Sequence, residues 1–337
     1  LIRFLTWQWQ FYLNIPLSLI GLALGWWALA DLPKPETRPQ IDWLGTGLLT
    51  LCLLTLNIAL LGSGDVSAAG GFTGLEEQAS WSTMPYYITA AVAFVLFVIS
   101  QRFVQRWTEP LIDLSLFKRP NFTPAVLINF LVGGVLIIAM VNVPLVVNVL
   151  ETDVGQAALM SGYLLSGMTG SMAILAFFGG KATERFSYRP VTAVGLLFCT
   201  IGLGLMGTLW NPDIAFGEMG WQLVILGAGF GLVIAPIGTA VINAAPEGQR
   251  GIASSLVIVM RLMGMSVGLS ALTSWGLYRF NLLRTQIVLP EIGSADYFTA
   301  LVEGLTSVTV KVLAETFLIS AVVAAVALCI SFLLRKD

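Results

Sequence analysis

Histidine is absent from the 337 residues, and charged side chains make up only 11% of them. The first absence removes the imidazole on which metal sites and proton transfer near neutral pH most often rely. The second places the chain far below the roughly 25% charge of a soluble domain. A net charge of −2 leaves no basic field for nucleic acid. Cysteine is scarce as well: Cys52, Cys199 and Cys329 each stand alone in an apolar run, without the spacing of a metal site or disulfide frame, and read as packing residues. An enzyme would need converging acids, a nucleophile–base pair or a metal cluster, and no apolar segment carries one. No catalytic residue, cofactor or metal ligand is therefore assigned.

What remains is 57% hydrophobic, with a mean hydropathy of +0.86, as in a polytopic membrane protein. Nine segments are long and apolar enough to cross a bilayer. They run from Phe11 to Leu32, Trp43 to Leu61, Pro85 to Phe103, Phe122 to Leu150, Ala157 to Gly180, Pro190 to Leu209, Met219 to Asn243, Gly251 to Gly276, and Leu313 to Leu334. The chain opens on Leu1 and turns apolar almost at once, which suggests the later part of a longer polypeptide. A signal peptide cleaved after Ala28-Leu29-Ala30 fits less well, because the run from Phe11 is longer than such segments usually are.

Loop charge orients the spans. If the connection from Pro33 to Asp42 is cytoplasmic, that side collects Lys34, Arg38, Arg102, Arg106, Lys118, Arg119, Lys181, Arg185, Arg189, Arg250, Arg335 and Lys336. The opposite side holds Arg3, Arg279, Arg284 and Lys311. This bias puts the C-terminus in the cytoplasm. The last six spans divide into two sets of three of opposite direction, the topology of inverted repeats in secondary transporters. Residues 106–121 then form a basic cytoplasmic connection ahead of a six-helix bundle over 122–337. Residues 33–105 form a separate pair of spans, and 1–32 belong to another bundle.

Arg261 is the one permanent charge deep inside a span. It lies about 15 Å along the helix from Gly251, near the middle of a ~30 Å hydrocarbon core. Ser254, Gly264 and Gly268 share its stripe, and the latter two make the G-x-x-x-G spacing of close helix contact. Two readings stay open: a charge that fixes packing through a backbone carbonyl or distant carboxylate, and one that serves a cavity or coupling role. The cluster Gly227, Gly229 and Gly231 lies within an apolar span without a Lys and reads as helix packing, not a nucleotide loop. Further cavity candidates are Asn129, Asn142, Ser161, Tyr163, Ser166 and Asn243, with Met168, Met172, Phe177 and Phe178 as a soft apolar wall. Each polar one is equally able to serve as a helix–helix hydrogen-bond partner. Glu315 has Lys311 one turn before it as a simple ion-pair partner. The stretch from Arg279 to Val312 reads as the longest connection, with Tyr297 onward solvated in preference to an interfacial helix.

Gly180-Lys-Ala-Thr-Glu184-Arg185-Phe-Ser-Tyr-Arg189 resembles the G-x-L-x-D-R-x-G-x-R loop of the major facilitator superfamily, with Ala182, Glu184 and Ser187 as departures. Its logic would be a tight turn at Gly180 and a carboxylate beside an arginine, pairing across helices in one transport state. Trp7-Gln-Trp9-Gln-Phe11-Tyr-Leu-Asn14-Ile-Pro16 is similar to the entry to helix six of the fourteen-helix drug:proton antiporters of EmrB/QacA type, with Gln8 for the usual arginine. The run from Pro110 to Phe122, the run from Pro144 to Gly167, and Gly251-Ile-Ala-Ser-Ser-Leu ahead of Arg261 resemble later segments of the same family.

The resemblance implies an all-α membrane protein with helices one to five missing and the second bundle complete. It also implies export of drugs or other amphipathic small molecules across the plasma membrane, by alternating access and in exchange for protons. No carboxylate of this chain lies near a span's centre, so the proton relay is expected on the missing helices. A periplasmic adaptor stays open as a partner. Transport of a specific metabolite by the same fold, or a transport-incompetent membrane scaffold, are the alternatives.

Overall fold

A computed structural model of the protein describes residues 8–29, 42–61, 84–104, 114–288, 290 and 296–335. Among these, every regular element is helical. In chain order they are α1 (Trp9–Leu29), α2 (Trp43–Leu61), α3 (Met84–Val104), a tight turn over Leu114–Lys118, α4 (Phe122–Leu150), α5 (Val154–Phe186), α6 (Tyr188–Leu209), α7 (Phe216–Ala244), a second tight turn over Glu247–Gln249, α8 (Arg250–Arg284) and α9 (Tyr297–Ser331).

Each of the nine apolar segments contains a helix. Among the described residues seven, α3 to α9, have the length and apolarity to cross a membrane, while α1 and α2 hold the shorter apolar stretches Tyr12–Ala28 and Trp43–Ala59. Pro144 and Pro236 lie inside α4 and α7. Neighbouring helices in a membrane let a helix tolerate the missing N–H.

Two boundaries differ from expectation. α5 does not turn at Gly180 but continues to Phe186, and the chain reverses at Ser187, which has φ 70° and ψ 167°. Lys181, Ala182, Glu184 and Arg185 are good helix formers, and one glycine costs only about 1 kcal/mol against alanine. The second difference is the stretch after Arg279. α8 runs on to Arg284, and Tyr297 to Val312 is the opening of α9 rather than solvated loop. Polar residues there hide an apolar face, on which Leu305 and Val308 pack against a small satellite core of Phe280, Leu283 and Val312.

The main core is shared by α4 to α9, with Phe122, Met168, Leu203, Phe230 and Phe317 fully buried in it. α4 lies along α8 and α9, α7 lies along α5 and α6, and α6 meets α9. Exchanging α4 with α7, α5 with α8 and α6 with α9 reproduces the same set of neighbours. α4 and α7 fill the centre, with 56% of each apolar stretch buried; the figure is 17% for α5 and 22% for α8. α5 and α8 thus present long exposed faces. The apolar side chains of α1 are exposed as well, Trp26 and Trp27 most of all.

Candidate functional site

The crossing of α4 and α8 carries Arg261. Backbone approaches backbone there: a Cβ on Gly264 would overlap the carbonyl of Phe130, one on Gly133 the carbonyl of Arg261, and one on Gly268 the Cα of Gly134. Small residues permit this contact, which no larger side chain could share. Asn129, one turn before Gly133 and buried, donates from Nδ2 to the carbonyl of Val257 and accepts at Oδ1 from Arg261 Nε at 3.2 Å. Arg261 is half-buried and, among the described residues, has no acidic partner. The partner that the structure supplies is a neutral side-chain amide, neither the carbonyl nor the carboxylate considered from the sequence.

The remaining cavity candidates do not converge on Arg261. Asn142 donates to Thr316 Oγ1 at 2.7 Å and ties α4 to α9. Ser161 is buried, and its hydroxyl has no hydrogen-bond partner among the described residues. Tyr163 is 69% exposed, and Ser166 Oγ turns back to the carbonyl of Tyr163 at 2.8 Å. Asn243 Nδ2 donates to Tyr188 Oη at 2.6 Å, linking α7 to α6. Met168 belongs to the buried core, so it forms no part of an exposed wall. Phe177 and Phe178 do lie on the exposed face of α5, edge to face at 5.7 Å, with Lys181 Nζ 4.9 Å above the Phe177 ring.

Gly180, Glu184 and Arg185 lie in the last turns of α5, and Arg189 in the first turn of α6. The Arg189 guanidinium sits over the Phe332 ring at 5.4 Å, and that of Arg185 over Phe186 at 5.6 Å. Among the described residues Glu184 makes no ion pair. In this conformation the basic side chains of the corner make cation–π contacts.

Glu315 differs again. Its carboxylate receives a two-pronged contact from Arg279 on α8, Nε at 2.8 Å and Nη2 at 3.1 Å, in place of the pair with Lys311. The planar guanidinium matches both carboxylate oxygens, which an ammonium cannot do.

Two further polar links join the helices. Asp42 Oδ1 accepts from Gly45 N at 2.8 Å and starts α2, while Oδ2 accepts from Gln101 Nε2 at 2.7 Å and ties α2 to α3. Ser266 Oγ donates to Asn57 Oδ1 at 2.7 Å and fastens α2 to α8. Asp42 directly before an apolar run is a legible helix start. Nothing in the spacing of Asn57 and Ser266 announces their pairing.

The Major Facilitator Superfamily profile matches residues 1–269. A triacylglyceride transporter of Mycolicibacterium hassiacum is 34% identical over 303 residues, covering 86% of this chain and 54% of that protein. The triacylglyceride transporter of Mycobacterium tuberculosis strain H37Rv is 31% identical over 287 residues, covering 82% of this chain and 52% of its own. The chain spans about half the length of these curated relatives. A bacterial homologue of the human lysosomal transporter Spinster, solved in an inward-facing, unoccupied conformation, superposes with a TM-score of 0.50 at 15% identity, over 79% of this chain and 63% of that one. At such identity the likeness concerns the fold alone. The relatives named here bear a lipid's name, which lends no support to the drug-antiporter subtype or to drug export. This chain belongs to the major facilitator superfamily.

Proposed function

We propose that the chain forms the second bundle, with its preceding linker spans, of a proton-coupled plasma-membrane transporter for strongly hydrophobic lipids of the triacylglyceride class. The observation that carries this reading is the 34% identity, over 86% of the chain, to a protein named for that lipid. The exposed faces of α5 and α8 would line the pathway, with Phe177 and Phe178 offering apolar contact to acyl chains. The exchange symmetry of the helix neighbours supports two inverted three-helix repeats over 122–337, a construction suited to alternating access by rocking of a rigid bundle.

In this reading all nine helices span, the linker pair falls in 33–105, and the C-terminus is cytoplasmic. Arg261 and the Gly180 to Arg189 corner bias which side is open. The test is transport in proteoliposomes of the protein in which this chain occurs, with a fluorescent triacylglyceride and a cationic dye compared under an imposed pH gradient. Lipid movement that follows the gradient supports the proposal. Dye movement without lipid movement restores the drug-export reading.

A further inference from the structure

Between α2, α3 and the first half of α8 lies a cavity of about 380 Å³. Its walls are apolar: Cys52 and Leu53 from α2, Phe94 and Phe97 from α3, Val259 and Met263 from α8. The one hydroxyl in the lining, Ser255 Oγ, is already committed to the carbonyl of Ile252 at 2.9 Å. A dry, hydrocarbon-walled space of this size offers nothing to water, which needs two to four polar partners to settle. From Ile252 to Met263 the lining follows α8 for about 16 Å, so the space is long rather than round.

One end of the cavity is basic. The Asp42–Gln101 contact places the start of α2 and the end of α3 at the same membrane surface. Arg102 follows there, one turn beyond the lining residue Val98, and Lys118 follows the lining residue Phe117 directly. Both basic side chains are exposed. Arg250, two residues before the lining residue Ile252, is partly offset by Glu247 at 3.8 Å. Arg119 Nη1 reaches the carbonyl of Ala244 at 3.2 Å. Cationic residues at the mouth of an intramembrane apolar slot match the two ends of an anionic lipid.

We propose that this cavity holds one acyl chain of an anionic phospholipid of the surrounding bilayer, with its phosphate against Arg102 and Lys118. The lipid fills the seam between the linker pair and α8, which the Asn57–Ser266 hydrogen bond otherwise spans. Such a lipid is a fixed part of the assembly and not the transported molecule, so the proposal stands apart from the identity of the substrate.

The test is photolabelling of the purified protein by phosphatidylglycerol carrying a diazirine in its acyl chain, with phosphatidylcholine as control and the adducts mapped by peptide mass spectrometry. Expected is labelling concentrated on α2, α3 and residues 252–263, much weaker with phosphatidylcholine. The doubly substituted Arg102→Gln, Lys118→Gln protein, altered only at exposed positions, should label about thirtyfold less, as loss of two surface charges implies. Val259→Trp, which fills the slot, should abolish labelling there while the melting temperature is kept. Equal labelling by both lipids overturns the proposal, as does label spread over α5 and α6, or displacement by excess triacylglyceride, which would make the slot a neutral-lipid site.

Discussion

Arg261 Nε rests on Asn129 Oδ1 at 3.2 Å, and the same asparagine donates its Nδ2 back to the carbonyl of Val257, one turn before the arginine. One amide of α4 therefore fixes both the backbone and the charge of α8. A guanidinium has five N–H donors, so this contact orients the group while occupying only one of them.

Removal of the amide separates structure from function. Asn129→Leu should lower stability by about 1–2 kcal/mol, the upper part of the range for hydrogen bonds between membrane helices. Arg261→Ala should retain the fold yet reduce transport at least about tenfold, with Arg261→Lys intermediate because an ammonium lacks the guanidinium's fork. Reversible unfolding in detergent, together with lipid transport, checks both outcomes.

The glycine contacts predict steric cost by position. Gly264→Leu drives a side chain into the Phe130 carbonyl and should destabilise by about 3 kcal/mol or more. Gly204→Ala on α6 meets nothing within 4 Å and should be neutral or stabilising. Melting temperatures of the two variants, measured side by side, decide the matter.

The reversal between α5 and α6 gives a sharper contrast. Ser187 holds a backbone conformation that glycine adopts freely, so Ser187→Gly should stabilise by about 1 kcal/mol. Gly180→Ala should stabilise by a similar amount, since the position is helical and open. Were the turn at Gly180, alanine there would destabilise instead.

Arg279 and Glu315 join α8 to α9 near the satellite core. Glu315→Gln should lower the melting temperature, the exchanged pair Arg279→Glu, Glu315→Arg should recover part of it, and Lys311→Ala should leave it unchanged. A double-mutant cycle read by melting temperature and salt dependence checks the assignment.

Much of this architecture was readable from hydropathy. Trp43 to Leu61 and Phe122 to Leu150 are helices with those very ends, because apolar runs in lipid have few alternatives to a helix. Hydropathy alone ends these spans early at α8 and α9, because Arg284, Glu303 and Lys311 lower the mean over the segments that extend the two helices. The turn expected at Gly180 rests on the resemblance and runs against the helix-forming residues that follow it. At the site, the Arg261, Gly264 and Gly268 stripe pointed to a helix contact, while its partner Asn129 was one candidate among several lone polar residues. Which of those meet depends on the swapped pairing of α4 with α8 and α5 with α7, and that pairing is a property of the assembled bundle.

The central claim is that the exposed face of α5 borders the transport pathway and not bulk lipid. Cysteines at Tyr163 on that face and at Leu197 on the outer side of α6 test it most directly. They would be placed in a cysteine-free version of the chain joined to the stretch of the Mycolicibacterium hassiacum relative that it does not match, and probed in sealed vesicles with a water-soluble maleimide. The account predicts labelling at position 163 that shifts when triacylglyceride or a pH gradient is added, with none at position 197. Equal resistance of both positions under every condition would contradict it.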